Sequence, residues 1–529
     1  MSPHSGRPRR PPGSEPQDPA AAPPARGAPG AGATPVPGAS PRGRAGRTGG
    51  YARDRAVRAR LWLRTTPARV WLLTAVCLVS VVGLFGSATF TLNQAREDLD
   101  VLGRGAGPQA MATTDLYLAL ADMDAQMADV LLMGTDHGLG SGRDEAIEQY
   151  EESRGRANRA LLQAASLTEG VSVGERNVQA VLDGLGVYEQ LAAEARLLND
   201  EAQAPPGQAD EAALESYREA TQLMHTELLP KAFNLGLDSS AIVRVNHEEG
   251  QASVALGLVW VGAVGAVTVI ALTGLQLYLR VRFRRRINAP LLAATAGTVA
   301  LTVGVVLALV SSGGHQSDAK EEGLDTAMAL SRAGAIATDM QADESRYLVD
   351  PALADNYQQV YLERAQQVLF RPADNLDAYY EAVDEVAASY PELPGSDGAD
   401  PEDPGTLGYL GRAAQESLPP SQEAALADVL ASYNAFQAED RELRAAAREG
   451  DLDAALATRM EIVHAENGTF RTYEVALAEL TGLHRDAFTE GIERGDSALA
   501  PWGWLLPAGV LALLALVALG VRPRLAEYR

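Results

Sequence analysis

Four stretches of the chain, residues 70–92, 253–279, 288–312 and 501–521, contain no Asp, Glu, Lys, Arg or His. A bilayer core of about 30 Å needs roughly 20 helical residues, so each predicts a membrane-spanning helix. The stretches between them read differently. Leu116, Leu120, Met123, Met127, Val130 and Leu131 recur at steps of three and four, which is the buried stripe of a helix. Breaks at Gly134–Gly142, Thr168–Ser172 and Ala204–Gly207 divide residues 93–252 into four helices of about 24 to 40 residues. Residues 313–500 repeat the plan. No segment alternates apolar and polar with a period of two, so no strand is predicted. The expected fold is all-α: four membrane helices and two extracytoplasmic four-helix bundles, at 93–252 and 313–500.

Charge orients this arrangement. Arg280, Arg282, Arg284, Arg285 and Arg286 sit between the second and third apolar stretches, in a loop at 280–287. Basic loops stay in the cytoplasm. The chain carries a net charge of −24. The segment through Arg69, this loop and the tail after residue 521 together hold 21 basic and four acidic residues, leaving 24 basic and 65 acidic for the rest. Both termini are therefore expected inside and both bundles outside. Residues 1–52, rich in Pro, Gly and Arg, cannot bury enough apolar surface to order themselves and read as a disordered cytoplasmic tail. Residues 53–69 read as a basic juxtamembrane segment against the anionic leaflet, and 522–529 as a short cytoplasmic tail. A signal peptide is the alternative for 70–92, but the stretch is long for one and no A-x-A-type site follows. The charge segregation makes nucleic acid an unsuitable partner. The single cysteine, Cys77, lies in the first apolar stretch, so no disulfide staples the external regions. Lysine occurs only at 231 and 320 among abundant Arg, Ala, Gly and Pro, a bias of high-GC bacterial genomes such as those of actinobacteria.

The two external regions align with each other. Asp124 and Gln126 correspond to Asp339 and Gln341 at a shift of 215. Asp183, Leu185, Tyr188, Glu194 and Arg196 correspond to Asp428, Leu430, Tyr433, Glu439 and Arg441 at a shift of 245. The pattern predicts an internal duplication, with about 30 extra residues in the second copy around Arg371–Pro420. This acidic insert contains Tyr379, Tyr380 and Tyr390 and is expected near the outer leaflet. Tyr188 with Arg196, and Tyr433 with Arg441, are either structural pairs or the lining of a site for an anionic ligand, because a guanidinium fork suits a carboxylate. Tyr379, Tyr380 and Tyr390 are either loop residues or contacts for an extracytoplasmic protein.

No catalytic constellation is evident: the sequence has no phosphate-binding Gly-rich loop, no HExxH and no kinase signature. Its seven histidines show no metal-ligand spacing, so neither a metal nor another cofactor is expected. The apolar stretches lack the ionisable residues that mark transport routes. A non-enzymatic protein is the expectation.

Membrane helix, helical bundle, membrane helix is the input half of bacterial chemoreceptors and many sensor kinases. Ala128-Asp-Val-Leu-Leu-Met-Gly134 resembles the leucine-rich stretch ending the first external helix in such bundles. The sequence departs from them in showing no linker, signalling hairpin or kinase domain after either repeat. With two such units in tandem, residues 60–529 resemble the GlnX-type membrane proteins of actinobacteria. That resemblance implies a relay between a GlnH-type amino-acid-binding lipoprotein outside and the soluble Ser/Thr protein kinase G inside. A homodimer is a separate expectation. A scaffold tethering envelope proteins, or a direct small-ligand sensor, are the alternatives to the relay.

Overall fold

The computed structural model describes residues 66–135, 142–167, 172–283, 288–391, 408–413, 418–464 and 467–526. The N-terminal tail, Arg284, Arg285 and Arg286 lie outside the described residues, as does residue range 392–407 of the insert. No strand occurs among the described residues.

The dominant elements are very long helices. In the first half, α1 (Thr66–Asp100) passes through a π-helical turn (Val101–Ala106) into α2 (Gly107–Met133) without a break. Then come α3 (Gly142–Leu167), α4 (Ser172–Glu201) and α5 (Glu211–Leu223), and a second π turn (Met224–Leu228) leads into α6 (Leu229–Phe283). The second half opens with α7 (Ala289–Asp318), a third π turn (Ala319–Asp325) and α8 (Thr326–Val349). It continues with α9 (Ala354–Val368), α10 (Leu376–Ser389), the short α11 (Gly408–Ala413), α12 (Pro420–Glu449), α13 (Leu452–His464), α14 (Thr469–Leu499) and α15 (Trp502–Ala526). Side chains set several of these ends. Asp210 caps α5 by accepting from the Ala212 amide at 2.9 Å, and Asn375 caps α10 through the Ala378 amide at 2.9 Å. Gly450 ends α12 in the left-handed conformation at φ 82°, which a Cβ would disfavour.

Four helices, α1, α6, α7 and α15, carry segments long and apolar enough to cross a membrane. They pack in a closed ring, α1 on α6, α6 on α7, α7 on α15 and α15 on α1. The outward side of the ring is apolar: Trp71, Val79, Trp260, Ile270, Leu307 and Leu511 are all exposed. A continuous belt of this kind is unfavourable in water and suits hydrocarbon. Inside the ring, small residues admit close approach. A Cβ at Gly257 would lie 2.3 Å from the Thr91 methyl carbon, and one at Gly304 2.5 Å from the Trp502 ring. Gln276 donates to the Thr295 hydroxyl at 2.8 Å, one polar link between α6 and α7.

Beyond the apolar ring, the helices of both halves share one interior. α2 packs along α3 on one side and along α8 on the other. Leu132 and Leu214 of the first half enter the apolar cluster of the second, and Ala335 of α8 enters that of the first. At the far end, the Gly207 amide donates to the Leu132 carbonyl at 2.7 Å and the Thr135 amide to that of Ala204 at 2.9 Å. These bonds tie the tip of α2 to the α4–α5 connection. At the near end, the first and third π turns converge on Phe488 of α14, which packs with Leu102, Ala106, Ala319 and Leu324.

Candidate functional site: a buried ionic seam between the halves

The face of α2 that meets α8 carries two carboxylates, Asp124 and Asp129, both with no solvent exposure. An isolated buried carboxylate is strongly unfavourable, so each must be matched by charge and hydrogen bonds. The partners come largely from the second half. Arg346 of α8 donates from Nη2 to Asp124 Oδ2 at 2.5 Å, from Nη1 to Asp343 at 2.6 Å and from Nε to the Tyr217 hydroxyl at 3.1 Å. The other Asp124 oxygen accepts from the hydroxyls of Tyr188 and Thr221, each at 3.0 Å. His225 Nε2 stands 3.4 Å from Asp124 Oδ2. Burial pushes the Asp124 carboxyl up, but the Arg346 guanidinium with His225 and Thr221 brings it down to about 2. Arg364 of α9 extends the network, bonding Asp343 through Nη1 and standing 3.2 Å from His225 Nδ1 through Nη2.

One turn along α2, Asp129 accepts from Gln341 at 2.9 Å, from Ser345 and from Arg459 of α13 at 2.7 Å. Arg459 also donates from Nε to the Ser345 hydroxyl at 2.8 Å and lies 3.6 Å from Glu344. Glu344 is fully buried and neither carboxyl oxygen has a hydrogen-bond partner. Burial, reinforced by Asp440, pushes its carboxyl well above the usual range, and Arg459 and Arg444 only partly oppose this. Arg444 of α12 pairs with Asp440 at 3.0 Å and lies between the rings of Tyr361 and Tyr347, 4.6 and 4.7 Å from their centres. At the outer edge, Arg218 of α5 grips Asp350 with two bonds of 2.8 Å. The seam is thus a line of charged groups crossing from one half to the other, held away from water. Displacing α2 along α8 would separate several of these pairs together, so the interface favours discrete packings over gradual sliding.

The residues singled out from sequence fall in different places. Tyr188 joins the seam through Asp124. Tyr433 and Tyr379 are buried with their hydroxyls 3.1 Å apart, and the Tyr379 hydroxyl also lies 2.7 Å from the Ala365 carbonyl. Tyr380 donates to Asp440 beside Arg444. Tyr390 is half-buried at the end of α10. Arg196 is half-buried on α4. Arg441 is exposed on α12, 3.9 Å from both Asp377 and Glu381. Arg280 is exposed at the end of α6, and the side chain of Arg282 lies outside the described residues. Of these residues, Tyr188 and Tyr380 bond seam carboxylates, and the Arg441 guanidinium lies 6.0 Å from the centre of the Tyr380 ring. Sequence reasoning passed over Arg346, Arg364, Arg444 and Arg459. The available sign was a charge on an apolar stripe: Asp124 falls four residues after Leu120 and three before Met127, where a buried helix face expects an apolar side chain. Among the described residues, no group of His, Cys, Asp and Glu is arranged to hold a metal ion.

Residues 98–248 match the family model described as the actinobacterial sensor domain. The match runs from the C-terminal end of α1, through Asp124, Asp129 and His225, to α6 just before its apolar run. It supports an actinobacterial sensor protein with a role in sensing or signalling. Searches of curated proteins and of solved structures give no match.

Proposed function

We propose that the protein is a non-enzymatic transmembrane signal transducer, of the GlnX type that its sequence resembles. The observation that carries this reading is the continuity of helix from the seam to the apolar ring. α2 and α8, which bear the seam charges, are extensions of α1 and α7 through single π turns. A shift of about 1–2 Å between α2 and α8 is the scale on which packed helices switch. Such a shift reaches the membrane helices without crossing a flexible linker. On this reading the two halves are duplicated bundles outside the membrane, with both termini and the 280–287 loop inside. An amino-acid-loaded lipoprotein outside would favour one packing of the seam. The rearranged arginines at 280–286 and the basic N-terminus would then be presented to a cytoplasmic Ser/Thr kinase.

The test is affinity purification from native membranes after mild crosslinking, with partners identified by mass spectrometry. Recovery of a solute-binding lipoprotein and a soluble Ser/Thr kinase supports the relay. Recovery of cell-wall or division proteins alone overturns it in favour of a scaffold.

A further inference from the structure

Away from the seam, a cavity of about 300 Å³ opens between α1, the first π turn and α6. Its depth in the membrane follows from the chain. The apolar run of α1 ends at Leu92, and Asp98 lies six residues further, about 9 Å at 1.5 Å per residue. Ser253, at the start of the uncharged run of α6, lines the same cavity. The cavity therefore sits at the level of the lipid headgroups.

Two of its walls carry hydrogen-bonding atoms with no partner. Asp98 Oδ1 accepts from Gln94 at 3.3 Å, but Oδ2 is buried and unpartnered. His247 is only 8% exposed, and its Nε2 lies 2.8 Å from the Gln251 amide nitrogen. That nitrogen can only donate, so His247 Nε2 accepts and the ring hydrogen resides on Nδ1. Nδ1 is buried and has no partner. Asp98 and His247, which carry a buried orphan acceptor and a buried orphan donor, thus line one space, and native proteins seldom leave such groups empty-handed. Asp98 and Glu249 line the cavity and no Lys or Arg does, so it favours a cation. Gly250 keeps the space open: a Cβ there would lie 2.9 Å from Asp98 Oδ2. Burial holds the Asp98 carboxyl above its usual range, which a bound cation would reverse.

We propose that this cavity binds a primary ammonium group, with Asp98 accepting from its N–H and His247 Nδ1–H donating to an oxygen on the same ligand. An ethanolamine lipid headgroup and a free small amine share this chemistry. Val101 and Leu102 of the π turn line the cavity, so its occupant would touch the element that joins α1 to the seam-bearing α2.

The test uses full-length protein and native mass spectrometry of bound lipid, with phosphatidylethanolamine, phosphatidylglycerol and phosphatidylcholine supplied separately. Preferential retention of the ethanolamine lipid is expected, since choline has no N–H to offer Asp98. Asp98→Asn, nearly isosteric, is expected to weaken that retention about tenfold, equivalent to about 1.4 kcal/mol. Gly250→Val should abolish it by filling the space, and Asp100→Asn, at an exposed pair with Arg104, should leave it unchanged. If free ethanolamine binds with the same dependence on Asp98 while the lipid shows no preference, the source is a soluble amine. Absence of binding by both amines, or binding undiminished in Asp98→Asn, overturns the proposal.

Discussion

Arg346 is 1% exposed and each of its three guanidinium nitrogens has a different acceptor, one of them Asp124 in the other half of the chain. The pair spans 222 residues of sequence and is the centre of the interface between α2 and α8.

Breaking that pair from one side leaves a buried charge alone. Asp124→Asn and Arg346→Met are each expected to cost about 3–5 kcal/mol. The double variant should cost clearly less than the sum, because neither charge is then stranded. Chemical unfolding of the detergent-solubilised protein measures all three; additive losses would show that the two residues do not act as a unit.

The Asp124 pair also sets an acid limit. A folded-state carboxyl held near 2, against about 3.9 when unfolded, contributes stability that is full above pH 4. That contribution disappears as the pH falls toward 2. Asp124→Asn should be less stable than the wild type at pH 6, with the gap closing by pH 2 in thermal unfolding scans.

Glu344 has the opposite sign. Its carboxyl binds a proton more firmly in the folded protein than in the unfolded chain. Its contribution is therefore most favourable below about pH 4.3 and is lost as the pH rises toward the folded-state value. Glu344→Gln should unfold at a higher temperature than the wild type at pH 8, and the difference should shrink at pH 5. A variant that is less stable at both would mean that the ionised carboxylate is needed.

At the junction with the membrane helices, Phe488→Ala should remove the packing that holds the first and third π turns together. A buried aromatic truncated to Ala costs about 3–5 kcal/mol. Hydrogen exchange should accelerate at Val101–Ala106 and Ala319–Asp325 before it does at the seam. Unchanged exchange at both turns would separate Phe488 from the junction.

Sidedness is directly testable in whole cells. In a Cys77→Ser background, Gln208→Cys should react with a membrane-impermeant maleimide, and Arg280→Cys should react only after permeabilisation; both positions are exposed. The reverse pattern would invert the proposed orientation.

The helical character of the chain and its four apolar spans were legible because they depend on local properties, namely uninterrupted apolar runs and three-to-four-residue periodicity. The seam was not. Asp124 and Gln126 stood out in the sequence only as matches to Asp339 and Gln341, yet Asp124 pairs with Arg346 and Gln341 donates to Asp129. Those pairings link residues more than 200 positions apart, and no periodicity within one helix encodes which face another helix will cover. Tyr379 and Tyr380 illustrate the same limit. Their acidic neighbourhood reads as surface, but α10 turns both rings inward, where the Tyr379 hydroxyl meets that of Tyr433 and the Tyr380 hydroxyl donates to Asp440.

Because α2 draws its counter-charges from α8 and α13, a gene fragment encoding only residues 98–248 would leave Asp129 with neither Gln341, Ser345 nor Arg459. The stretch that matches the sensor-domain model therefore takes part of its buried charge compensation from outside its own bounds. A substitution at 124 or 129 strands the buried Arg346 or Arg459, and a matching change in the opposite half is expected to offset part of that loss.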